Sequence, residues 1–373
     1  MNLYRADHVG SLLRPQALLD AHQAHAQGRL TLEALRESED RAILEALALQ
    51  REVGIDVLSD GELRRRSWSS DFVDAVDGYI PGEAPVRLEW HTAEPADAPA
   101  ASGGPPTQII GARLQQKRRL TAHESLFLRA HAGTMPYKVT LPAASYVVTR
   151  GYKPGVTDKV YSSRSEVLND AARIIREEIQ ALIAEGVPYI QLDNPHYPDY
   201  IMESRRAQWR AIGLDPEQSL AEDIAADNAS IAGVDRSRTV LAMHFCRGNG
   251  GRGGWHTTGG YDAIAEQVFG QLKVDRLLLE YDSERAGGFE PLRFVPKGVI
   301  AVLGLITTKA GTLESRELIL RRIDEAAKYL PLESLALSPQ CGFASVMSGN
   351  PLSFEEQRRK LELVVSVARS LWS

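Results

Sequence analysis

The chain has 373 residues, 43 Lys+Arg against 49 Asp+Glu and a formal net charge of −6, with no sustained block of either sign. That balance argues against an extended nucleic-acid surface and offers no polybasic membrane patch. Apolar runs fall short of the ~18 residues of a membrane span, and the opening Met1-Asn2-Leu3-Tyr4-Arg5-Ala6-Asp7-His8 carries no signal-peptide core, so a cytoplasmic protein is expected. The length suits either two average domains or one large α/β barrel.

In chain order, Tyr4 to Ser11 reads as a short strand and a turn, and Arg14-Pro15 starts a helix through Ala24. Thr31 caps a second helix with Glu33 in its first turn, running to about Val53 and closed by Gly54. Ile55 to Glu62 is a second strand that ends in acids. The pattern then loosens into an insertion, about 63–137, with local strands at 86–90 and 108–111 and an Ala/Pro/Gly connection over 93–106. Its arginine triplet, Arg64-Arg65-Arg66, reads as a solvated face.

Regular alternation follows. A strand at 137–141 precedes a helix at 165–185 whose apolar stripe holds Ile174, Ile175, Ile179, Leu182 and Ile183. A strand at 187–193 ends in Asp193, and helical material from Tyr200 and again over 220–231 leads to the strand of His244. A helix near 262–272 leads to Leu277-Leu278-Leu279-Glu280, then come a strand at 299–307, a helix at 313–330, a strand at 334–338 and a closing helix at 354–371. Apolar strands alternating with helices predict a parallel sheet. Seven to eight such units make the expected fold an α/β TIM (β/α)8 barrel, one domain over 1–373 with the insertion after its second strand.

Such barrels gather functional groups at the C-terminal ends of their strands, where this sequence puts Ser11, Glu62, Asp193, His244, Cys246, Glu280 and Cys341. The chain has two cysteines, and in a large cytosolic chain metal-binding or catalytic thiols are the expected use. His244-Phe245-Cys246 sits where an apolar run gives out into a Gly-rich loop, Cys341 ends a similar segment, and Glu280 ends a third. Residues i and i+2 of a strand point to one side, so an imidazole and a thiolate there can converge on one ion. Two thiolates, one imidazole and one carboxylate suit Zn²⁺. The plain alternative is that buried cysteines act as small hydrophobes and strand-end acids cap helices. A zinc-bound thiol loses its proton and becomes a strong nucleophile, which points to alkyl transfer to sulfur.

The segments Asp7-His8-Val9-Gly10-Ser11, Ser59-Asp60-Gly61-Glu62, Gln191-Leu192-Asp193, His244-Phe245-Cys246, Glu280-Tyr281-Asp282 and Ser338-Pro339-Gln340-Cys341-Gly342-Phe343 resemble the C-terminal catalytic domain of cobalamin-independent methionine synthase. The resemblance spans nearly the whole chain and is closest to the short members that lack the N-terminal half. It implies zinc held by His244, Cys246, Glu280 and Cys341, and a homocysteine thiolate that takes the methyl of a methyl-tetrahydrofolate. It implies that Glu62 and Asp193 hold the homocysteine ammonium and that Gly10-Ser11 contacts its carboxylate end, with Glu280 and Asp193 as the catalytic acids. The family also carries a histidine, proposed to protonate the departing folate, in the stretch corresponding to 305–309. This chain has none there, which leaves His196 and His256 as candidates. Trp68, Tyr146, Tyr197 and Trp255 are candidates to stack on a pterin. A methyl-corrinoid protein as donor, transfer to another thiol as in coenzyme M transferases, and a non-catalytic zinc-stabilised barrel are the alternatives.

Overall fold

The structure, a computed structural model, describes residues 4–92 and 108–372. Helix α1 (Gln16–Ala26) and the long α2 (Leu32–Val53) open the chain; Thr31 accepts the Ala34 N–H at the start of α2, and Gly54 ends it with φ 81°. A short α3 (Ser70–Ala75) then runs directly into β1 (Val76–Pro81), which pairs antiparallel with β2 (Gln108–Gln116). Helix α4 (Ala122–His131) precedes the sheet strands: β3 (Lys138–Pro142), α5 (Ala144–Gly151), α6 (Arg164–Ala184), β4 (Tyr189–Asp193), α7 (Glu203–Ala211), α8 (Pro216–Ser230), β5 (Val240–Phe245), α9 (Ala265–Gln271), β6 (Arg276–Glu280), β7 (Ile300–Ile306), α10 (Arg316–Ala326), β8 (Leu335–Pro339) and α11 (Phe354–Leu371).

Strands β3 to β8 form one parallel sheet in sequential order, and every residue in them is buried. That is the signature of a sheet covered on both faces. The two expected N-terminal strands appear only as single parallel bridges, Ala6 to Leu337 and Leu58 to Tyr137. Their hydrogen bonds nonetheless carry the sheet from one edge to the other. Asp7 N–H donates to Leu337 O (2.9 Å), Asp56 N–H to Ala6 O (3.0 Å) and Lys138 N–H to Leu58 O (2.8 Å). Two apolar cores result, because alternate strand residues point to opposite faces. The larger packs the helices on the outside of the sheet; the smaller, of Tyr4, Val9, Val57, Tyr189, Val240, Ala242, Leu278, Ile300, Val302 and Ala336, fills the inside.

The insertion departs from expectation. Residues 86–90 form no strand, and the partner of β2 is β1, with a register shift between Asp77 and Tyr79. The connection 93–106 lies outside the described residues. The arginine triplet is not a solvated face. Arg65 is buried and paired with Glu124 and Asp71, and Arg64 with Glu39 and Asp40; the side chain of Arg66 alone is mostly exposed. A basic triplet looks solvated in sequence because the acids named lie 6 to 59 positions away.

Candidate metal and substrate site

Strands β4, β5 and β8 deliver the central residues. In the parallel register Asp193 lies directly beside His244, and the Asp193 Oδ1 accepts the His244 Nδ1 bond at 2.8 Å. A ring nitrogen of His244 and the sulfurs of Cys246 and Cys341 lie within 4.8 Å of one another, all three residues buried. Nε2 of His244 is buried with no hydrogen-bond partner. A buried orphan nitrogen costs about 1–3 kcal/mol unless something binds it. With Nδ1 fixed by a carboxylate, this is the carboxylate–histidine arrangement that orients metal-binding imidazoles. The donor set, one imidazole and two sulfurs, is that of a soft or borderline ion such as zinc.

Charge agrees with geometry. Burial disfavours a charged His244, but the hydrogen bond to Asp193 and the nearby sulfur of Cys341 outweigh it and raise its pKa to about 10. Hydrogen bonding between the two free thiol groups, with His244 beside them, holds Cys341 far below the ordinary thiol range and pushes Cys246 up. One thiolate next to a cationic imidazole is what such a cluster adopts without an ion; a divalent cation would favour both thiolates and a neutral ring.

Glu280 ends β6 at full burial, and its charge acts on Cys246. Its carboxylate is engaged elsewhere, Oε2 by the Arg247 backbone N–H at 2.6 Å and Oε1 by Arg285 at 2.6 Å, and it falls outside the His244–Cys246–Cys341 group. Burial opposes ionisation of Glu280, but Lys309, Arg247 and Arg285 keep its pKa below the usual carboxyl value.

Beside the cluster, Glu62 sits in the left-handed region at φ 55°, a strained conformation for a side chain this size. The preceding Gly61 and the hydrogen bond from Glu62 N–H to Asp60 Oδ1 (2.9 Å) hold the turn. Oε1 accepts from Thr140 (2.8 Å), while Oε2 is buried and unpartnered. Burial raises Glu62 to about 7, Arg65 offsetting part of this and Asp193 adding to it. Gly10, at φ 142°, passes so close that a Cβ there would lie 3.2 Å from Glu62 Oε1. Ser11 O accepts the Phe343 N–H (2.9 Å), which docks the Gly10-Ser11 turn on the loop after Cys341. Asn249 ties the loop after Cys246 to the same place, donating to Gly342 O (2.7 Å) and Ser345 Oγ (2.9 Å).

These groups face a cavity of about 1340 Å³ whose lining includes Ser11, Glu62, Asp193, His244, Cys246 and Cys341, but neither Glu280 nor Gly10. Its wall is aromatic. Trp68 packs on Tyr146 (4.4 Å between ring centres), Tyr146 stacks on His196 (5.2 Å), and Trp90 sets its edge to His256 (4.9 Å). Of the stacking candidates, Trp68 and Tyr146 line the cavity; Tyr197 is buried with its hydroxyl on Asp227, and Trp255 lies outside the lining. Trp90 is the wall residue that the sequence did not single out. It follows a polar, irregular stretch, and the antiparallel bridge of His91 to Trp255 brings it over the cavity.

With this geometry the comparisons with known proteins are decisive at the family level. The family model of the cobalamin-independent synthase catalytic domain matches residues 153–370. The chain belongs to that family. It is 39% identical to the uncharacterized protein YxjH of Bacillus subtilis, covering 99% of this chain and 95% of that protein, and 23% identical to a methionine synthase of Saccharolobus solfataricus, covering 94% and 95%. Among solved structures it is similar to a putative vitamin-B12-independent methionine synthase from Listeria monocytogenes, with 29% identity, TM-score 0.75 and coverage of 99% and 98%. A B12-independent methionine synthase from a Shewanella species, at 22% identity and TM-score 0.72, shares the fold. The fold is the TIM-barrel type expected from the sequence, and the chain is a methyltransferase of the methionine synthase type. No helix among the described residues is long and apolar enough to cross a membrane.

Proposed function

We propose that this chain, as one zinc-binding barrel over 1–373, transfers a methyl group from a methyl-tetrahydrofolate to the thiol of homocysteine, giving methionine. The observation that carries this reading is the buried, unpartnered Nε2 of His244 beside two sulfurs, with Nδ1 locked by Asp193. His244, Cys246 and Cys341 would hold zinc, and Glu280 would complete the set from the end of β6 once released by Arg247 or Arg285. Bound zinc supplies one thing here, a thiol kept as thiolate at neutral pH.

The remaining work falls to the chain. Glu62 Oε2, buried and unpartnered, is a ready acceptor for the homocysteine ammonium, with Asp193 as the second carboxylate. The ammonium would restore the Glu62 charge, since an adjacent cation lowers a carboxyl pKa raised by burial. The Gly10-Ser11 turn offers the carboxylate end a close backbone approach. A cavity of about 1340 Å³ exceeds the 300–1,000 Å³ typical of one small ligand, which supports a second substrate. Its aromatic wall of Trp68, Tyr146 and Trp90 suits a flat heteroaromatic donor such as a pterin. A corrinoid donor protein finds no support in a cobalamin-independent family. Two acids at the amino-group end also disfavour a sulfonate thiol, and a cavity opening onto the cluster disfavours a purely structural metal.

X-ray absorption at the zinc edge tests the reading. Homocysteine should add one sulfur neighbour to the two supplied by the protein, and Glu62→Gln should require more homocysteine to do so. An unchanged zinc shell at saturating homocysteine would refute it.

A further inference from the structure

A nitrogen that gives up its methyl group keeps the bonding electron pair, and an amine nitrogen leaves only if it takes a proton. The reading above therefore requires an acid on the donor side of the cavity, and the stretch 305–309 contains no histidine. The cavity wall holds a unit with the right composition. Asp199, fully buried, lies between two histidines. Its Oδ2 bonds His196 Nδ1, and its Oδ1 lies 3.2 Å from His256 Nδ1 and accepts from Thr257 Oγ1 at 2.6 Å. Both imidazoles line the cavity while Asp199 stays behind them. The placement follows from local geometry: His196 and Asp199 are three apart across the start of a 3-10 turn at Tyr197–Ile201, where i and i+3 eclipse. His256 lies over Gly248, two residues past Cys246, where a Cβ would sit 2.5 Å from its Cδ2. At φ 96°, Gly248 is the residue that lets the ring approach the metal loop.

On the basis of the proposed methyl transfer, we propose that the His196–Asp199–His256 unit is the general acid that protonates the leaving amine nitrogen of the methyl donor. The sulfur lone pair forms the S–CH3 bond, the C–N bond breaks with its electrons on nitrogen, and that nitrogen takes a proton from an imidazolium, which becomes neutral. Asp199 is the positioning residue. Asp199 on His196 Nδ1, and Thr257 Oγ1 on His256 Nδ1 at 2.9 Å with Asp199 behind it, hold both rings by that nitrogen and leave the far nitrogens to the cavity. The charged and titratable groups around the unit include Arg150 and Tyr146 near His196, Tyr200 near Asp199, and Arg205, whose Nε lies 3.9 Å from Asp199.

The test compares two methyl sources in the zinc-loaded protein with homocysteine. 5-Methyltetrahydrofolate leaves through a nitrogen that needs a proton; methyl iodide leaves as iodide and needs none. His196→Asn, His256→Asn and Asp199→Asn are expected to lower kcat with the folate by about 100-fold or more, to lose the alkaline limb of its pH profile, and to keep the methyl iodide rate, zinc content and homocysteine KM. Loss confined to one histidine variant together with Asp199→Asn also supports the unit and names the delivering ring. Wild-type kcat with the folate in both histidine variants, or equal loss with both methyl sources, would overturn it. Wild-type protein that methylates homocysteine from iodide but never from the folate would instead overturn the donor reading, and the acid with it.

Discussion

Asp7 and Glu62 are both buried carboxylates facing the inside of the same barrel, and they are treated in opposite ways. Asp7, at the end where the strands begin, has both oxygens filled: Oδ1 by Lys138 Nζ (2.9 Å) and His8 N–H (2.8 Å), Oδ2 by the Tyr189 hydroxyl (2.9 Å) and Arg276 (3.3 Å). Burial alone would raise its pKa, but Lys138 and Arg276 pull it below the ordinary value. Glu62, at the end where the strands finish, is left with an empty oxygen, a strained backbone and a pKa of about 7. One end is saturated; the other leaves a carboxylate oxygen without a partner. This matches the division of labour in such barrels, where the C-terminal face acts and the N-terminal face holds.

The comparison can be broken at either end. The largest effect belongs to the open end: Cys246→Ser or Cys341→Ser should remove zinc and lower methyl transfer by at least about 10⁴-fold, roughly 5.5 kcal/mol, while circular dichroism and the apo-protein melting curve stay close to wild type. Metal content and turnover on the same sample check this. At the saturated end, Asp7→Ala strands Lys138 and Arg276 in the interior and should cost about 3–5 kcal/mol of stability, measured by urea denaturation, in the apo and zinc forms alike.

Glu62→Gln should do the reverse. A carboxyl whose folded pKa is raised from 4.5 to about 7 binds its proton more tightly folded than unfolded. Its folded state is therefore penalised increasingly as pH rises between those values, and the penalty is complete above the folded pKa. The substitution should raise apo stability at pH 8 by up to about 3 kcal/mol, at about 1.36 kcal/mol per unit, gain little at pH 4, and weaken homocysteine binding. Equal gains at both pH values would show that Glu62 carries no such strain. Asp193→Asn is the mildest case. It keeps the fold but loosens the His244 ring, and should weaken zinc by about 10–100-fold in a chelator competition.

The same contrast explains what was legible in the sequence. His244, Cys246 and Cys341 stood out because few residue types make soft metal ligands and all three end apolar strands. The barrel stood out because short, largely apolar strands alternate with helices along the second half of the chain. The Asp193–His244 bond did not, since it comes from strand register, which a separation of 51 positions does not encode. The Arg65 cluster and the β1–β2 pairing were hidden for the same reason: their partners are distant in sequence and lie in an insertion without strong periodicity. Glu280 was placed correctly at a strand end, but its engagement by Arg247 and Arg285 depends on the conformation of two loops.

The most direct test of the account is methionine formation from homocysteine by the zinc-loaded protein, offered 5-methyltetrahydrofolate as the monoglutamate and the triglutamate, with metal measured on the same sample. The account predicts one zinc per chain and methionine from at least one of the two. Stoichiometric zinc with no methionine from either would contradict it.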